Sequence, residues 1–155
     1  MIEDFDPAKM MLLRDEGDSR YPYDCGTGNR VYADSGSVTI GIGHNLDTRP
    51  ISDAVRDLLF AEDWAIARET CVSLYPAYMK LSQPRRLALL NMAFNLGERR
   101  LSKFKLMNQA INDGLWHDAA TEARNSLWFH QVKGRAERIA WMIEHDAIHA
   151  EYLQQ

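Results

Sequence analysis

The chain has 155 residues and a formal net charge of −4, with 46% hydrophobic and 26% charged residues. Those figures describe one ordinary domain with enough apolar material for a real core, and they exclude a disordered chain. No apolar run approaches the length of a membrane span and the balance is acidic, so neither stable membrane insertion nor general nucleic-acid binding is expected.

The N-terminus, Met-Ile-Glu-Asp-Phe-Asp-Pro, is acidic where a secretory signal would be basic, which leads us to expect synthesis in the cytoplasm. Asp6 and Pro7 suit the cap and first turn of a short helix over 7–14, with Met10, Met11 and Leu13 as its apolar face. Gly17, just after Glu16, is placed to end it. Residues 20–46 are rich in Gly, Tyr, Thr and Ser, with turn signals at Gly26-Thr27-Gly28-Asn29 and Asp34-Ser35-Gly36, and read as an antiparallel sheet of two or three strands. Within it, Val38-Thr39-Ile40-Gly41-Ile42-Gly43-His44-Asn45-Leu46 alternates as a strand. Ile40 and Ile42 fall on one face; Thr39, Gly41 and Gly43 fall on the other, leaving room there for a ligand.

After Ser52 the pattern turns helical. Ser52 caps a run carrying Val55, Leu58, Leu59 and Trp64, continued by 63–75. Pro76 and Pro84 punctuate, and 84–96 is apolar nearly all round, as a buried central helix ending at Gly97 would be. Shorter helices follow at about 101–112, 116–125 and 135–152, separated by turns at Asp113-Gly114 and Lys133-Gly134. The expected architecture is α+β in a single domain, 1–155: a small antiparallel sheet lobe at about 15–50, a helical lobe at about 52–152, and a cleft between them. Cys25 and Cys71 match neither a disulfide framework nor a metal-site spacing, and His44 lacks a partner at ligand spacing, so no metal is expected. From Lys80 to Lys105 the chain carries Lys80, Arg85, Arg86, Arg99, Arg100, Lys103 and Lys105 against Glu98 alone, a stretch that is either a solvated helical face or a surface for an anionic polymer.

Taken in order, Glu16-Gly17 after a short helix, Tyr23-Asp24-Cys25, Thr39-Ile40-Gly41-Ile42-Gly43-His44 and Pro84-Arg85-Arg86-Leu87-Ala88-Leu89-Leu90-Asn91-Met92-Ala93-Phe94-Asn95-Leu96-Gly97 resemble the T4-type phage lysozyme (endolysin) family, glycoside hydrolase family 24. Phe104, Trp116, Ala119-Ala120, Ser126-Leu127-Trp128-Phe129-His130-Gln131 and Arg135-Ala136-Glu137-Arg138 continue it, so the resemblance covers about residues 8 to 145. It implies a lysozyme-like fold that hydrolyses the β-1,4 bond between N-acetylmuramic acid and N-acetylglucosamine in bacterial peptidoglycan. It also implies no cofactor and a monomer. With no export signal in view, release to the cell wall would depend on a separate holin-like protein.

Cleaving a glycosidic bond requires an acid to protonate the leaving oxygen and a second group opposite it. By resemblance Glu16 is the general acid and Thr39 positions the attacking water. The second catalytic position departs from the family pattern of Glu, eight residues, Asp or Cys, five residues, Thr. Cys25 keeps the spacing from Glu16, but about eight extra residues then precede Thr39. Asp34, in Tyr32-Ala33-Asp34-Ser35-Gly36, resembles the family's turn, with four residues rather than five between it and Thr39. Spacing favours Cys25, with Asp34 its rival and Asp24 a weaker third. Arg135 falls where the family pairs an arginine with the catalytic glutamate, and His44, Asn45, Asn95 and Gly97 match its substrate-binding positions. Phe104, Trp116 and Trp128 read as core rather than sugar platforms. Two other functions fit the same scaffold: a lytic transglycosylase, which yields anhydro sugars, and a catalytically silent glycan-binding module of a phage structure.

Overall fold

The computed structural model describes residues 4–23, 29–31 and 37–153. Helix α1 spans Phe5–Glu16, starting two residues before Pro7, and stops where Gly17 takes a φ of +81°. Helix α2 spans Asp53–Leu74 without a break, and the Ser52 hydroxyl accepts the Val55 N–H at 3.3 Å as its cap. Helix α3, Gln83–Leu101, carries Pro84 in its first turn and buries Leu87, Ala88, Leu89, Leu90, Asn91, Met92 and Ala93. Its regular helix ends at Gly97, as expected, and a short helical turn follows the break. At this glycine the backbone departs from helical geometry (φ +67°, ψ 165°) and is helical again through Leu101. The break relies on glycine, because an L side chain is strained at that φ.

Helices α4 (Lys105–Asn112), α5 (Trp116–Arg124), α6 (Leu127–Val132) and α7 (Gly134–His145) follow. The sequence pattern missed α6, a helix too short for its period to stand out, although the Ser126 hydroxyl caps it by accepting the Phe129 N–H. It also overran α7, which Asp146 ends in the left-handed conformation.

The molecule divides into two compact units, Met1–Glu16 with Asp63–Gln155, and Gly17–Glu62. In the helical unit α7 packs on α3 and α5, α5 on α4, and α1 on α3. The core is the buried face of α3 closed by Ile139, Ala140, Met142 and Ile143 from α7 and by the alanines Ala119, Ala120 and Ala123 of α5, small enough for close helix approach. Trp128 lies in this core, with Trp116 and Phe104 packed against it. Cys71 is buried as a free thiol, and burial pushes its pKa up to about 12.

The Gly17–Glu62 unit contains an antiparallel pair, β1 (Thr39–Ile40) and β2 (His44–Asn45), registered Thr39 to Asn45 and Ile40 to His44. Among the described residues, a further antiparallel bridge joins Tyr23 to Arg30. The alternating stretch is therefore a tight hairpin and not a single strand. Gly41 and Gly43 take φ values of +55° and +72° to turn it, and Ile42 stands fully exposed at the tip. A Cβ at either glycine would meet nothing within 4 Å, so chain reversal rather than a close neighbour accounts for them.

Candidate active site

Glu16 is the last residue of α1, its side chain 37% exposed. A carboxylate at a helix C-terminus is disfavoured by the helix dipole, so this position needs a compensating cation. Arg135, at the start of α7 and 8% exposed, supplies it: Nη1 donates to Glu16 Oε1 at 2.6 Å. Arg135 is fixed in turn, because its Nε donates to Asn91 Oδ1 at 2.8 Å from the buried face of α3. Three elements thus converge on one carboxylate.

Beneath Glu16 lies a second acid that sequence reasoning missed. The Asp15 side chain is fully buried, a placement tolerated only when the charge is paired and hydrogen-bonded. Its Oδ1 accepts from Arg138 Nη2 at 2.7 Å, and its Oδ2 accepts from Asn91 Nδ2 and from the Tyr152 hydroxyl, each at 2.8 Å. Burial pushes the Tyr152 pKa well up, which keeps that hydroxyl a donor. Burial pulls the Arg138 pKa down, but its bonds to Tyr152 and Asp15 outweigh this and leave it raised overall. Asn91 is the hinge of the cluster, giving its N–H to Asp15 and taking one from Arg135. Holding Asp15 fixes the last turn of α1 and so the backbone that carries Glu16. Asn91, an amide within the buried stretch 87–93 of α3, and Arg138, one helical turn after Arg135, were the readable signals.

The other expected residues fall in two places. Asn95 Oδ1 accepts the Trp128 indole N–H at 2.9 Å, one turn of α3 beyond Asn91, and Gly97 forms the helix break. Thr39, His44 and Asn45 lie together on the hairpin of the Gly17–Glu62 unit. Thr39 is exposed, its hydroxyl 3.2 Å from that of Ser37. Asn45 Oδ1 accepts the Asp47 N–H at 2.9 Å and so builds the following turn. His44 Nε2 meets the Arg49 carbonyl at 3.2 Å. Cys25, Asp34 and Asp24 lie outside the described residues. Among the described residues no cluster of His, Cys, Asp and Glu is arranged to hold a metal.

The family model of phage lysozymes matches residues 21–140, more than half of the chain. A probable T4-type lysozyme 2 of Dictyostelium discoideum is 31% identical, over 79% of this chain and 89% of that protein. The pre-baseplate central spike protein Gp5 of Enterobacteria phage T4 is also 31% identical, over 75% of this chain, although the chain spans only 18% of that protein. A peptidoglycan hydrolase, gp36 of Pseudomonas phage phiKMV, is 30% identical over 69% of this chain and 13% of its own length.

Proposed function

The chain belongs to the phage lysozyme family, and on that premise we propose that it is a peptidoglycan hydrolase, a muramidase with Glu16 as its general acid. The observation that carries this reading is the seat built for Glu16: a part-exposed carboxylate at a helix end, held by an arginine that is itself buried and fixed by Asn91. A solvated glutamate would need no such support.

In the proposed step the Glu16 carboxylic acid gives its proton to the bridging oxygen as the bond from that oxygen to the anomeric carbon breaks. Water adds to the anomeric carbon from the opposite side and its proton leaves to the second catalytic group. Arg135 stabilises the carboxylate that remains on Glu16, through a charge-assisted bond at its strongest when the acceptor is ionised. Thr39 is assigned to orienting the water, with Cys25 or Asp34 as the second group. Action at the bacterial cell wall belongs to the same reading.

The test is mass spectrometry of the soluble products released from purified peptidoglycan by the wild type and by Glu16→Gln. Reducing-end muropeptides from the wild type, lost in the variant, are expected. Anhydro products would replace the hydrolase with a transglycosylase. Retention on peptidoglycan with no product from either protein would leave a binding module, a reading to which the likeness to a spike protein gives some weight.

A further inference from the structure

After α7 the chain returns to the seat of Glu16 through a short 3₁₀ turn, Ala150–Tyr152, which packs on α1. Two side chains of this turn grip the buried cluster. The Tyr152 hydroxyl donates to Asp15 Oδ2 at 2.8 Å, and Glu151 Oε2 accepts from Arg14 Nη2 at 2.7 Å and from Arg138 Nη1 at 3.2 Å. The turn starts at His149. Its carbonyl accepts the Tyr152 N–H at 2.9 Å, and its ring Nδ1 accepts the Glu151 N–H at 3.3 Å. The half-buried ring stands edge-on to Trp141 of α7, with centroids 5.2 Å apart.

The ring bond requires a neutral imidazole, because a protonated one carries N–H at both nitrogens and accepts nothing. Other histidines are bonded in the opposite sense. His145 Nδ1 meets the Trp141 carbonyl, His117 Nδ1 the Glu144 carboxylate and His44 Nε2 the Arg49 carbonyl, so each donates and keeps its bond when protonated. Among the described residues, His149 is the histidine whose ring accepts a backbone N–H. The carboxylates of the elements packed around it are each engaged by arginine: Asp15 on α1 by Arg138, Glu151 on the turn by Arg14 and Arg138, Glu144 on α7 by Arg124, and Asp146 by Arg85. His145, stacked on the Trp141 ring with centroids 4.6 Å apart, can add only like charge. A proton on His149 therefore removes an acceptor and gains no counter-ion. Imidazoles take up that proton between about pH 8 and 5. We infer that His149 is a positioning residue for Glu16: its neutral ring fixes the turn that holds Asp15 beneath Glu16, and its protonation releases that turn. Activity then falls in mild acid, a consequence that rests on the hydrolase reading above.

The experiment follows the full chain by NMR from about pH 8 to 5, reading the His149 ring, the Glu151 amide and the Glu16 carboxyl carbon, with kcat on purified peptidoglycan measured over the same range. As the His149 ring protonates, the hydrogen-exchange protection of the Glu151 amide is expected to drop about fivefold, the weight of one hydrogen bond. A step in the Glu16 carboxyl signal and a fall in kcat are expected at the same midpoint. His149→Asn keeps a cap acceptor that does not titrate, and should hold the amide protected while removing that step from the Glu16 signal and from the kcat profile. His149→Ala, checked for native folding by circular dichroism, should show the unprotected amide and the lower kcat at every pH. Glu151 protection that ignores the His149 titration, or identical pH profiles in wild type and His149→Asn, overturns the inference. Cleavage of peptidoglycan with a profile indifferent to His149→Asn would sink the inference and leave the hydrolase. Glu151 and Glu16 signals that follow His149, with no cleavage at any pH, would do the reverse.

Discussion

The helical unit and the hairpin unit are stabilised by different physics. The first buries a continuous core, from Ala8 and Met11 of α1 through Leu87–Ala93 of α3 to Ile143 of α7, and sets one charged cluster inside it. In the second, Leu46 is the one buried hydrophobic residue among those described. What holds the hairpin unit is local. Arg30 donates to the Leu46 and Asp47 carbonyls, Asp47 accepts the Val38 N–H, Asn45 closes a turn, and Arg56 pairs with Asp18. Hydrophobic burial fixes one half of this protein, and glycine conformations with side-chain to backbone hydrogen bonds fix the other.

The most direct way to break that contrast is to truncate one isoleucine in each unit. Ile143→Ala removes fully buried atoms at the α7 seam and is expected to cost about 3 kcal/mol in urea unfolding. Ile42→Ala, at the exposed hairpin tip, is expected to change stability by less than about 0.5 kcal/mol. Comparable losses at the two sites would show that the hairpin unit hides a core of its own.

The buried charge cluster gives the next effect. Arg138→Met strips Asp15 of its shortest ion pair and is expected to destabilise the protein by about 3 kcal/mol, the usual consequence of leaving a buried charge short of a partner. Tyr152→Phe removes one neutral donor to the same carboxylate and should cost about 1 kcal/mol. If the cluster seats Glu16, both variants also lower kcat on peptidoglycan under conditions where they are fully folded. An unchanged kcat would reduce Asp15 to a purely structural residue.

Gly41→Ala probes the other kind of order. The residue sits at a φ of +55°, so the substitution is expected to cost about 1 kcal/mol in conformational strain although no atom stands in its way. Loss of the cross-strand NOEs between Thr39 and Asn45, with the helical unit unaltered, is the outcome that fits. A clash-free and cost-free alanine would mean that the turn tolerates other geometries.

Legibility followed the same division. Helical periodicity and capping residues revealed α2, the buried face of α3 and the stop after Glu16, because burial writes a repeating pattern into the chain. The alternation around Ile40 and Ile42 misled, since a two-residue period with glycines fits a strand or a hairpin equally, and only the φ values separate them. Family resemblance brought Glu16 and Arg135 together correctly, yet it could not reveal Asp15. That residue's role depends on Asn91, Arg138 and Tyr152, distant in sequence and joined only by the fold.

The smallest effect tests whether the helical unit, like the hairpin unit, also draws on polar contacts at its surface. At the α5–α7 seam Arg124 Nη1 donates to Glu144 Oε2 at 2.8 Å, and His117 Nδ1 lies 2.6 Å from Oε1. The Arg124 hydrogen bond, followed by the one to His117, holds the Glu144 carboxyl below its ordinary value. A carboxyl depressed in the folded state adds stability that is present above its unfolded pKa, about 4.3, and lost as the pH falls through the folded value. Glu144→Gln should therefore lower Tm slightly at pH 6, and the gap from wild type should close as the pH falls through the depressed folded value and the wild-type carboxyl takes up its proton. Because the side chain is 20% exposed, solvent and salt screen the pair, and the gap at pH 6 should narrow in high salt. A gap that persisted in acid would mean that Glu144 contributes by packing and not by charge, leaving the seam to the alanines of α5 and the apolar face of α7.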